Sequence, residues 1–248
     1  MEFRIFEHDW VDSTSERAFA ALESGTARHG DVHLARGQSA GRGRRGATWI
    51  SPPGEGLYLS VVLRSKAVLE PAALTMGAGL AVRAMLIELG LSRVQLKWPN
   101  DLLVDAAKLC GCLVETRGLD PAAPHAVLGI GINVRQRVFP PELMAQRAVT
   151  SLALCGVDTQ PRALLDGLLL HVGFEIERVA SKPEATLAAY LAATGLSQRR
   201  VRVRAGEQEI EGLLRELSLV HGLGIELDDG LMRHVRLEHV RALLEATR

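Results

Sequence analysis

Five short apolar segments in the first half of the chain constrain its fold more than any other feature. Each segment is rich in β-branched or other apolar residues and is bounded by glycine, proline or polar residues, a pattern typical of β-strands. Because so many strands occur close together along the chain, we predict that they form one mixed β-sheet. The segments are VHLAR after Asp31, 57–63, 94–98, 108–115 and 126–134.

Helical patterns separate and follow these strands. Hydroxyl residues at 12–15 come just before a short apolar helix, and Pro71 begins a longer helix that continues to about residue 89. Residues 161–193 predict two further helices with a break before Pro183, and short strands such as 200–204 and 224–227 come after them. We therefore predict two domains, residues 1–195 and residues 196–248.

Composition excludes several classes of protein. The 248 residues are 47% hydrophobic, and 29 basic residues balance 29 acidic ones, so no overall positive charge attracts nucleic acid or anionic membranes. Three cysteines at 110, 112 and 155 form neither a disulfide framework nor a zinc site of familiar spacing. The acidic N-terminal segment lacks the pattern of a signal peptide, and no segment has the length expected of a membrane span. These features predict a cytoplasmic protein.

A long loop between two predicted strands carries the clearest chemical signal. Residues 37–56 are rich in glycine, arginine and proline, and the segment GRGRRG at 41–46 alternates arginines with glycines. Glycine lets the backbone approach a ligand closely, and the planar guanidinium of arginine suits a carboxylate or a phosphate. The loop therefore indicates an anionic ligand. A solvated basic loop and a loop that contacts nucleic acid are the alternative interpretations of this segment alone.

Six ordered motifs make the chain resemble the biotin protein ligases. They are DSTS at 12–15, Gln38 with GRGRRG at 41–46, Trp49 with SPPGEGLYLS at 51–60, KWPNDL at 97–102, KLCGCLVE at 108–115 and GIGINV at 129–134. The resemblance implies an α+β fold, in which a mixed β-sheet carries helices on one side in a class II synthetase-like arrangement, with a small C-terminal SH3-like β-barrel. It also implies ATP-dependent transfer of biotin to a lysine of a biotin carboxyl carrier protein through biotinyl-5′-AMP. A lipoate–protein ligase and an inactive biotin-binding module are the alternatives.

The resemblance also implies a set of biotin-binding residues. Ser13 and Thr14 correspond to residues that bind the ureido group, whereas Ser15 stands where the family usually has asparagine. Capping of a helix is the alternative role for these hydroxyl groups. The full set is Ser13, Thr14, Ser15, Gln38, Gly41, Arg42, Gly43, Arg44, Lys108, Gly129 and Gly131.

By the same resemblance, Arg44, Lys97, Asp101 and Lys108 are expected to be catalytic. Asp101 is expected either to bind Mg²⁺ through ATP or to orient the acceptor lysine, and both roles remain open. Trp49 is expected either to stack on adenine or to belong to the core. The residues expected to bind ATP or the adenylate are Arg42, Arg45, Trp49, Lys97, Asn100, Lys108 and Asn133.

Three expectations concern the rest of the molecule. Eleven residues precede Asp12, so we expect no N-terminal DNA-binding domain and no nucleic-acid partner, and we expect a monomer or a homodimer. The predicted last strand contains RLEHVRAL where the family has a glycine–glutamate motif. We also expect the loop at 41–56 to become ordered when biotin binds, because its arginines would lack partners without the anion.

Overall fold

A seven-stranded mixed sheet forms the larger part of the protein. The computed structural model describes residues 1–64, 70–117 and 124–246. The strand order is β1-β2-β3-β7-β6-β5-β4, and β1 and β2 pair in parallel while the other neighbours are antiparallel. The predicted mixed sheet is thus confirmed. Its strands are β1 (Arg4–Val11), β2 (Asp31–Gln38), β3 (Gly56–Arg64), β4 (Val94–Lys97), β5 (Asp101–Val104), β6 (Ala107–Glu115) and β7 (His125–Asn133).

Two of these strands, β1 and β5, were not among the predicted segments. Strand β1 has the sequence RIFEHDWV and lies at an edge of the sheet, where polar side chains can face solvent. Strand β5 is four residues long and begins inside the KWPNDL motif. Neither segment has the apolar run on which the strand prediction depended.

Helices cover both faces of the sheet to different extents. The long helices pack on one face, as predicted, and α2 lies between the sheet and the helices α4 and α5. The break before Pro183 is confirmed, because α4 ends at Ser181 and α5 begins at Pro183. The helices are α1 (Thr14–Glu23), α2 (Pro71–Glu88), α3 (Pro141–Gln146), α4 (Leu165–Ser181) and α5 (Pro183–Thr194).

Helix α2 owes its apolar composition to this burial. It has the length and hydropathy of a membrane-crossing helix, and it is the one helix of the described residues that does. Its side chains from Ala73 to Leu86 contribute to the main core. A helix that is apolar around its whole circumference is expected where helices and a sheet enclose it.

The opposite face of the sheet is covered only at one end. Helix α1 packs there through Ala18 and Phe19 on Val62 and Val127, which form a small second core. Strand β3 alternates accordingly, because Leu59 and Val61 face the main core while Ser60 and Val62 face the α1 side. The remainder of this face is available as the floor of a site.

The C-terminal part forms a separate antiparallel sheet in the order β11-β10-β9-β8-β12. Val201, Leu214 and Ile225 are buried and belong to the same apolar cluster as the main core. This sheet agrees with the predicted barrel, and β8 begins at Arg200, shortly after the predicted boundary at residue 195. Residues 247 and 248 of the predicted second domain lie outside the described residues. The strands are β8 (Arg200–Ala205), β9 (Gln208–Ser218), β10 (Gly222–Glu226), β11 (Met232–Val235) and β12 (Val240–Glu245).

Candidate active site

A cavity of about 280 Å³ lies on the α1 side of the sheet. Its wall comes from the start of α1, the loop after β2, strands β5, β6 and β7, and the segment 136–149 that follows β7. Most of the residues expected from the sequence line it. They are Ser13, Thr14, Ser15, Gln38, Arg42, Gly43, Arg44, Arg45, Trp49, Asn100, Asp101, Lys108, Gly129, Gly131 and Asn133.

Two expected residues lie outside the cavity wall. A Cβ at Gly41 would be 2.3 Å from the carbonyl oxygen of Trp49 and 2.7 Å from Ser51 Oγ, so this glycine is required for loop packing. Lys97 is exposed on the edge strand β4, directly opposite Asp101. Its position next to Asp101 keeps it on the same side of the sheet as the cavity.

A buried group of hydroxyls and one amide forms one end of the cavity. Thr14 Oγ1 lies 2.8 Å from Ser60 Oγ, and Ser15 Oγ lies 3.1 Å from the same atom. Gln38 Oε1 accepts hydrogen bonds from the backbone N–H and from the hydroxyl of Thr14, at 2.8 and 3.2 Å. Its Nε2 donates to Ser51 Oγ at 2.8 Å. These polar groups therefore hold one another in place within a buried environment.

Helix capping accounts for Ser13. The backbone N–H of Ser15 donates to Ser13 Oγ at 3.3 Å, in the arrangement of an N-cap. The alternative role considered for these hydroxyls is thus present for Ser13, while Thr14 and Ser15 point to Ser60. A helix cap and a line of cavity-lining hydroxyls coexist on the same turn.

Sequence reasoning missed Ser60. It is fully buried on β3, and its hydroxyl joins Thr14 and Ser15. The signal was present, because Ser60 is the single polar side chain in the otherwise apolar segment LYLSVVL, apart from the phenol of Tyr58. A buried hydroxyl inside an apolar strand requires a partner, which indicates a polar site on that face.

An ion pair lies at the centre of the cavity. Lys108 Nζ is 2.6 Å from Asp101 Oδ1, and the two side chains are 13% and 19% exposed. The backbone of Lys108 is fixed on both sides, since its N–H donates to Ala148 and its carbonyl accepts from Thr150. Among the described residues that line the cavity, Asp101 carries the one carboxylate.

Trp49 packs flat against the sheet beside this ion pair. A Cβ at Gly131 would lie 2.5 to 2.9 Å from three atoms of its indole, and one at Gly111 would lie 3.1 Å from it. Lys108 Nζ is 5.3 Å from the centre of the indole. The indole of Trp49 therefore packs directly on Gly131 in this structure.

Only one of the three loop arginines is anchored. Arg42 donates to Glu16, and its Nη2 is 2.5 Å from Glu115 Oε1. The expectation that the arginines lack partners without an anion is wrong for Arg42. Burial, followed by the nearby charge of Arg45, lowers the pKa of Arg44. Neither Arg44 nor Arg45 forms an ion pair within the described ranges.

Asparagine and glutamine side chains form the other end of the cavity. Asn133 Nδ2 donates to the carbonyl of Thr150 at 2.9 Å, and Gln136 Nε2 lies 3.4 Å from Asn133 Oδ1. Asn100 Nδ2 donates to the carbonyl of Cys112 at 2.8 Å and thereby holds the turn before Asp101. Gln136 was missed because the segment after β7 carries no recognisable motif.

Strand β7 orders these groups along one line. Gly129 lies under the hydroxyl end, since its Cβ position is 3.4 Å from Ser15 Oγ. Gly131 lies under Trp49, and Asn133 follows at the amide end. Alternate residues of a strand are about 7 Å apart, so the site extends over about 13 Å along the strand. It therefore suits an elongated ligand with a neutral polar head, a charged middle and a hydrogen-bonding base.

The residues present fit Mg²⁺ only as an ion that a ligand helps to hold. No group of three potential metal-binding side chains occurs among residues 1–64, 70–117 and 124–246. Asp101 supplies one carboxylate near the centre of the cavity. One carboxylate together with nucleotide phosphates is a usual environment for Mg²⁺.

Comparisons with known proteins agree with this description. The model of the biotin/lipoate A/B protein ligase family matches residues 8–133. A biotin–[acetyl-CoA-carboxylase] ligase from Mycobacterium tuberculosis is 35% identical over 212 residues, which cover 83% of this chain and 76% of the relative. A biotin protein ligase from Aquifex aeolicus in complex with biotin and ATP is 28% identical, with a TM-score of 0.80 over 98% of this chain and 99% of that chain. A Leishmania major biotin protein ligase in complex with biotinyl-5-AMP is 25% identical, with a TM-score of 0.65 over 95% and 99% of the two chains.

Proposed function

This chain belongs to the biotin/lipoate A/B protein ligase family, and from this premise we propose that it attaches biotin to a lysine of an acceptor protein. Biotin and ATP first give biotinyl-5′-AMP and pyrophosphate. The acceptor lysine then takes the biotinyl group, and AMP leaves. Solved structures of similar ligases contain biotin with ATP or biotinyl-5-AMP, which are the substrates and the intermediate of this reaction.

The observation that carries this proposal is the order of groups along β7. Biotin's ureido ring is neutral and has both donors and acceptors, so it fits the buried hydroxyls near Gly129. The carboxylate and the α-phosphate then fall near Lys108, and adenine reaches Asn133. Each part of biotinyl-adenylate thus meets a group of matching chemistry.

The first step brings together two anions, the biotin carboxylate and the α-phosphate of ATP. Lys108 and Arg44 offset their repulsion and stabilise the charge that develops on the phosphoryl oxygens. Lys108 is suited to this role because β6 and the segment 148–150 hold its backbone. Lys97 lies farther out beside Asp101 and meets the outer phosphates.

The second step requires a neutral lysine from the acceptor. Asp101 accepts a proton from, or orients, the incoming ammonium group once its ion pair with Lys108 loosens around the ligand. When Mg²⁺ is bound it neutralises charge on the phosphate oxygens, and Asp101 is the described cavity residue that would hold it. No enzyme nucleophile is needed, because the adenylate is already an activated acyl group.

The buried hydroxyl end favours biotin over lipoate. Lipoate carries an apolar dithiolane ring, which cannot form the hydrogen bonds that a ureido ring would form with the cavity-facing polar groups of Thr14, Ser15 and Gln38. Sites built to hydrogen-bond a substrate discriminate strongly against an analogue that lacks those groups. Binding of biotin without catalysis would not require the Lys108–Asp101 ion pair beside Arg44, so these charged groups favour an enzyme over an inactive binding module.

The acceptor, the oligomeric state and the compartment are finer points of the proposal. We propose that the acceptor is the carrier domain of a biotin-dependent carboxylase and that the enzyme acts in the cytoplasm as a monomer or a homodimer. A balance of 29 basic and 29 acidic residues supports the absence of a nucleic-acid partner.

Release of pyrophosphate tests the proposed function directly. The purified chain is incubated with ATP, Mg²⁺ and either biotin or lipoate, without an acceptor, and pyrophosphate is measured. We expect release with biotin alone, followed by lysine labelling when a carrier domain is added. Pyrophosphate release with lipoate would indicate a lipoate–protein ligase. No pyrophosphate release with either substrate would indicate a binding module without ligase activity.

A further inference from the structure

The arginine-rich loop forms a wall between the cavity and the outside of the protein. Arg42, Arg44 and Thr48 line the cavity on its inner side and a shallow outer depression on the other side. Glu16 and Glu115 line only the outer depression. The two glutamates therefore contact the loop on the side that faces away from the cavity, where the substrates are proposed to bind.

A four-residue cluster joins this wall to the body of the domain. We call it the clasp, and it consists of Arg42, Glu16, Glu115 and Arg117. Arg42 forms ion pairs with both glutamates, and Arg117 Nη1 donates to Glu16 Oε2 at 2.8 Å. The guanidinium of Arg117 also lies 4.1 Å from the ring centre of Phe19. Helix α1, through Glu16, and strand β6, through Glu115, thus both hold one loop side chain, and Arg117 supports Glu16 from the other side.

The clasp is half-buried, and its arginines favour the anionic form of Glu16. Its four side chains are between 17% and 37% exposed, so solvent screens their interactions only in part. The hydrogen bond from Arg117, together with the charges of Arg117 and Arg42, lowers the pKa of Glu16. Glu16 is therefore a stable anion between two arginines.

Within the described residues, no side chain of the loop tip, residues 43–48, forms an ion pair. The hydrogen bonds of Gly43, Ala47 and Trp49 backbone N–H groups go to other residues of the same loop. Arg44 and Arg45 form no ion pair within the described residues, and Arg45 has a left-handed φ of 56°. Release of Arg42 would consequently free the whole tip to move away from the cavity.

We propose that Glu16 and Glu115 are positioning residues, which hold Arg42 and so keep the loop closed over the bound biotinyl-adenylate until the acceptor lysine arrives. This inference rests on the proposed function for the identity of the ligand. The intermediate is a mixed anhydride that water hydrolyses, so a wall that excludes water and slows its escape protects it. Glu16 and Glu115 thus act through Arg42, because they line the outer depression and not the cavity.

Tryptic cleavage of the loop tests the clasp without any substrate. Trypsin cuts after Arg44 and Arg45 only when the tip opens, so the rate of cleavage at these sites measures opening. In Glu16→Gln and Glu115→Gln we expect cleavage about two- to fivefold faster, which is the effect of losing one half-exposed ion pair. Glu211→Gln is the matched control, because Glu211 also accepts from two arginines but lies in the C-terminal sheet.

Retention of the intermediate tests the role in the reaction. The enzyme forms adenylate from biotin and ATP, free ligand is removed rapidly by ultrafiltration, and biotinyl-adenylate is then measured in the filtrate over time. We expect the two clasp variants to release it at least about twofold faster and Glu115→Asp to restore part of the retention. We expect pyrophosphate formation at saturating biotin to change less than retention does.

The outcomes separate the two proposals. Wild-type cleavage rates in both clasp variants would overturn the inference, and so would faster cleavage with unchanged retention. If the wild-type enzyme formed no adenylate, the proposed function would be refuted. The inference would then be refuted as well, because there would be no biotinyl-adenylate for the loop to retain. Faster cleavage and faster release in the clasp variants, with no change in Glu211→Gln, would support it.

Discussion

Substitution of Gly131 by alanine is expected to displace Trp49 without unfolding the protein. The added Cβ would lie 2.5, 2.6 and 2.9 Å from three atoms of the indole. Carbon atoms in contact are normally about 3.5–4.0 Å apart, so the ring must retreat by about 1 Å. The backbone of strand β7 cannot move instead of the ring, because β7 is hydrogen-bonded to β3 on one side and to β6 on the other.

The effect on activity should exceed the effect on stability. Trp49 lies on a partly exposed loop and can move, so we expect a loss of about 1 kcal/mol, the lower end for overpacking. A displacement of about 1 Å in an active site can reduce the rate about 10²-fold. The indole is also 5.3 Å from Lys108 Nζ, so its movement disturbs the charged centre of the cavity.

Pyrophosphate release and urea unfolding measure the two effects. Gly111→Ala, with the indole 3.1 Å away, should be milder, and Gly129→Ala, with its nearest atom at 3.4 Å, should be milder still. In a Trp49→Ala background the Gly131→Ala change should lose most of its effect, because the clash partner is gone. Additive losses in that double variant would refute the reasoning.

Three further predictions concern the ion pair, the hydroxyl group and pH. Lys108→Met should reduce adenylate formation about 10²–10³-fold, and pyrophosphate release at the wild-type rate would contradict its assigned role. Ser60→Ala should raise the KM for biotin about fivefold with little change in the KM for ATP, because Thr14 and Ser15 lose a shared partner worth about 1 kcal/mol; steady-state kinetics decide this. Burial lowers the pKa of His33 to about 4. Below pH 6.5, the ordinary pKa of histidine, His33 binds a proton in the unfolded chain but not in the folded chain. The free energy of unfolding should therefore fall by about 2 kcal/mol between pH 7 and pH 5. In urea unfolding, the free energy of unfolding of His33→Gln should depend less on pH than that of the wild-type protein. An equal pH dependence in the two proteins would contradict the role given to His33.

Much of the candidate site was predictable because its residues lie in short motifs. GRGRRG and KWPNDL bring together side-chain types that suit an anion, and the structure places Arg44 and Asp101 in one cavity. Lys97 shows the limit of such motifs, since it belongs to KWPNDL but is exposed on an edge strand outside the cavity wall. A motif therefore indicates the chemistry of its side chains, whereas their strand positions decide which of them line the cavity and which lie beside it.

The residues that sequence reasoning missed are those whose partners are distant along the chain. Ser60 meets Thr14 across 46 residues, and Arg42 meets Glu115 across 73. Neither pairing follows from local pattern, because each depends on the order and register of strands that are far apart in sequence. Gln136 was missed for the same reason, since its Nε2 donates to the hydroxyl of Tyr58, which lies 78 residues away in the chain.

The sequence alone determined the types of most elements and the chemistry of the loop, because hydrophobic period, proline positions and glycine-rich motifs act over a few neighbouring residues. No local pattern indicated that Trp49 lies on Gly131, that two glutamates hold Arg42 or that Ser60 joins the hydroxyl group. These contacts arise when antiparallel register brings β3, β7 and β6 side by side and α1 covers one end of them. The binding chemistry is therefore local in sequence, while its geometry is a property of the assembled sheet.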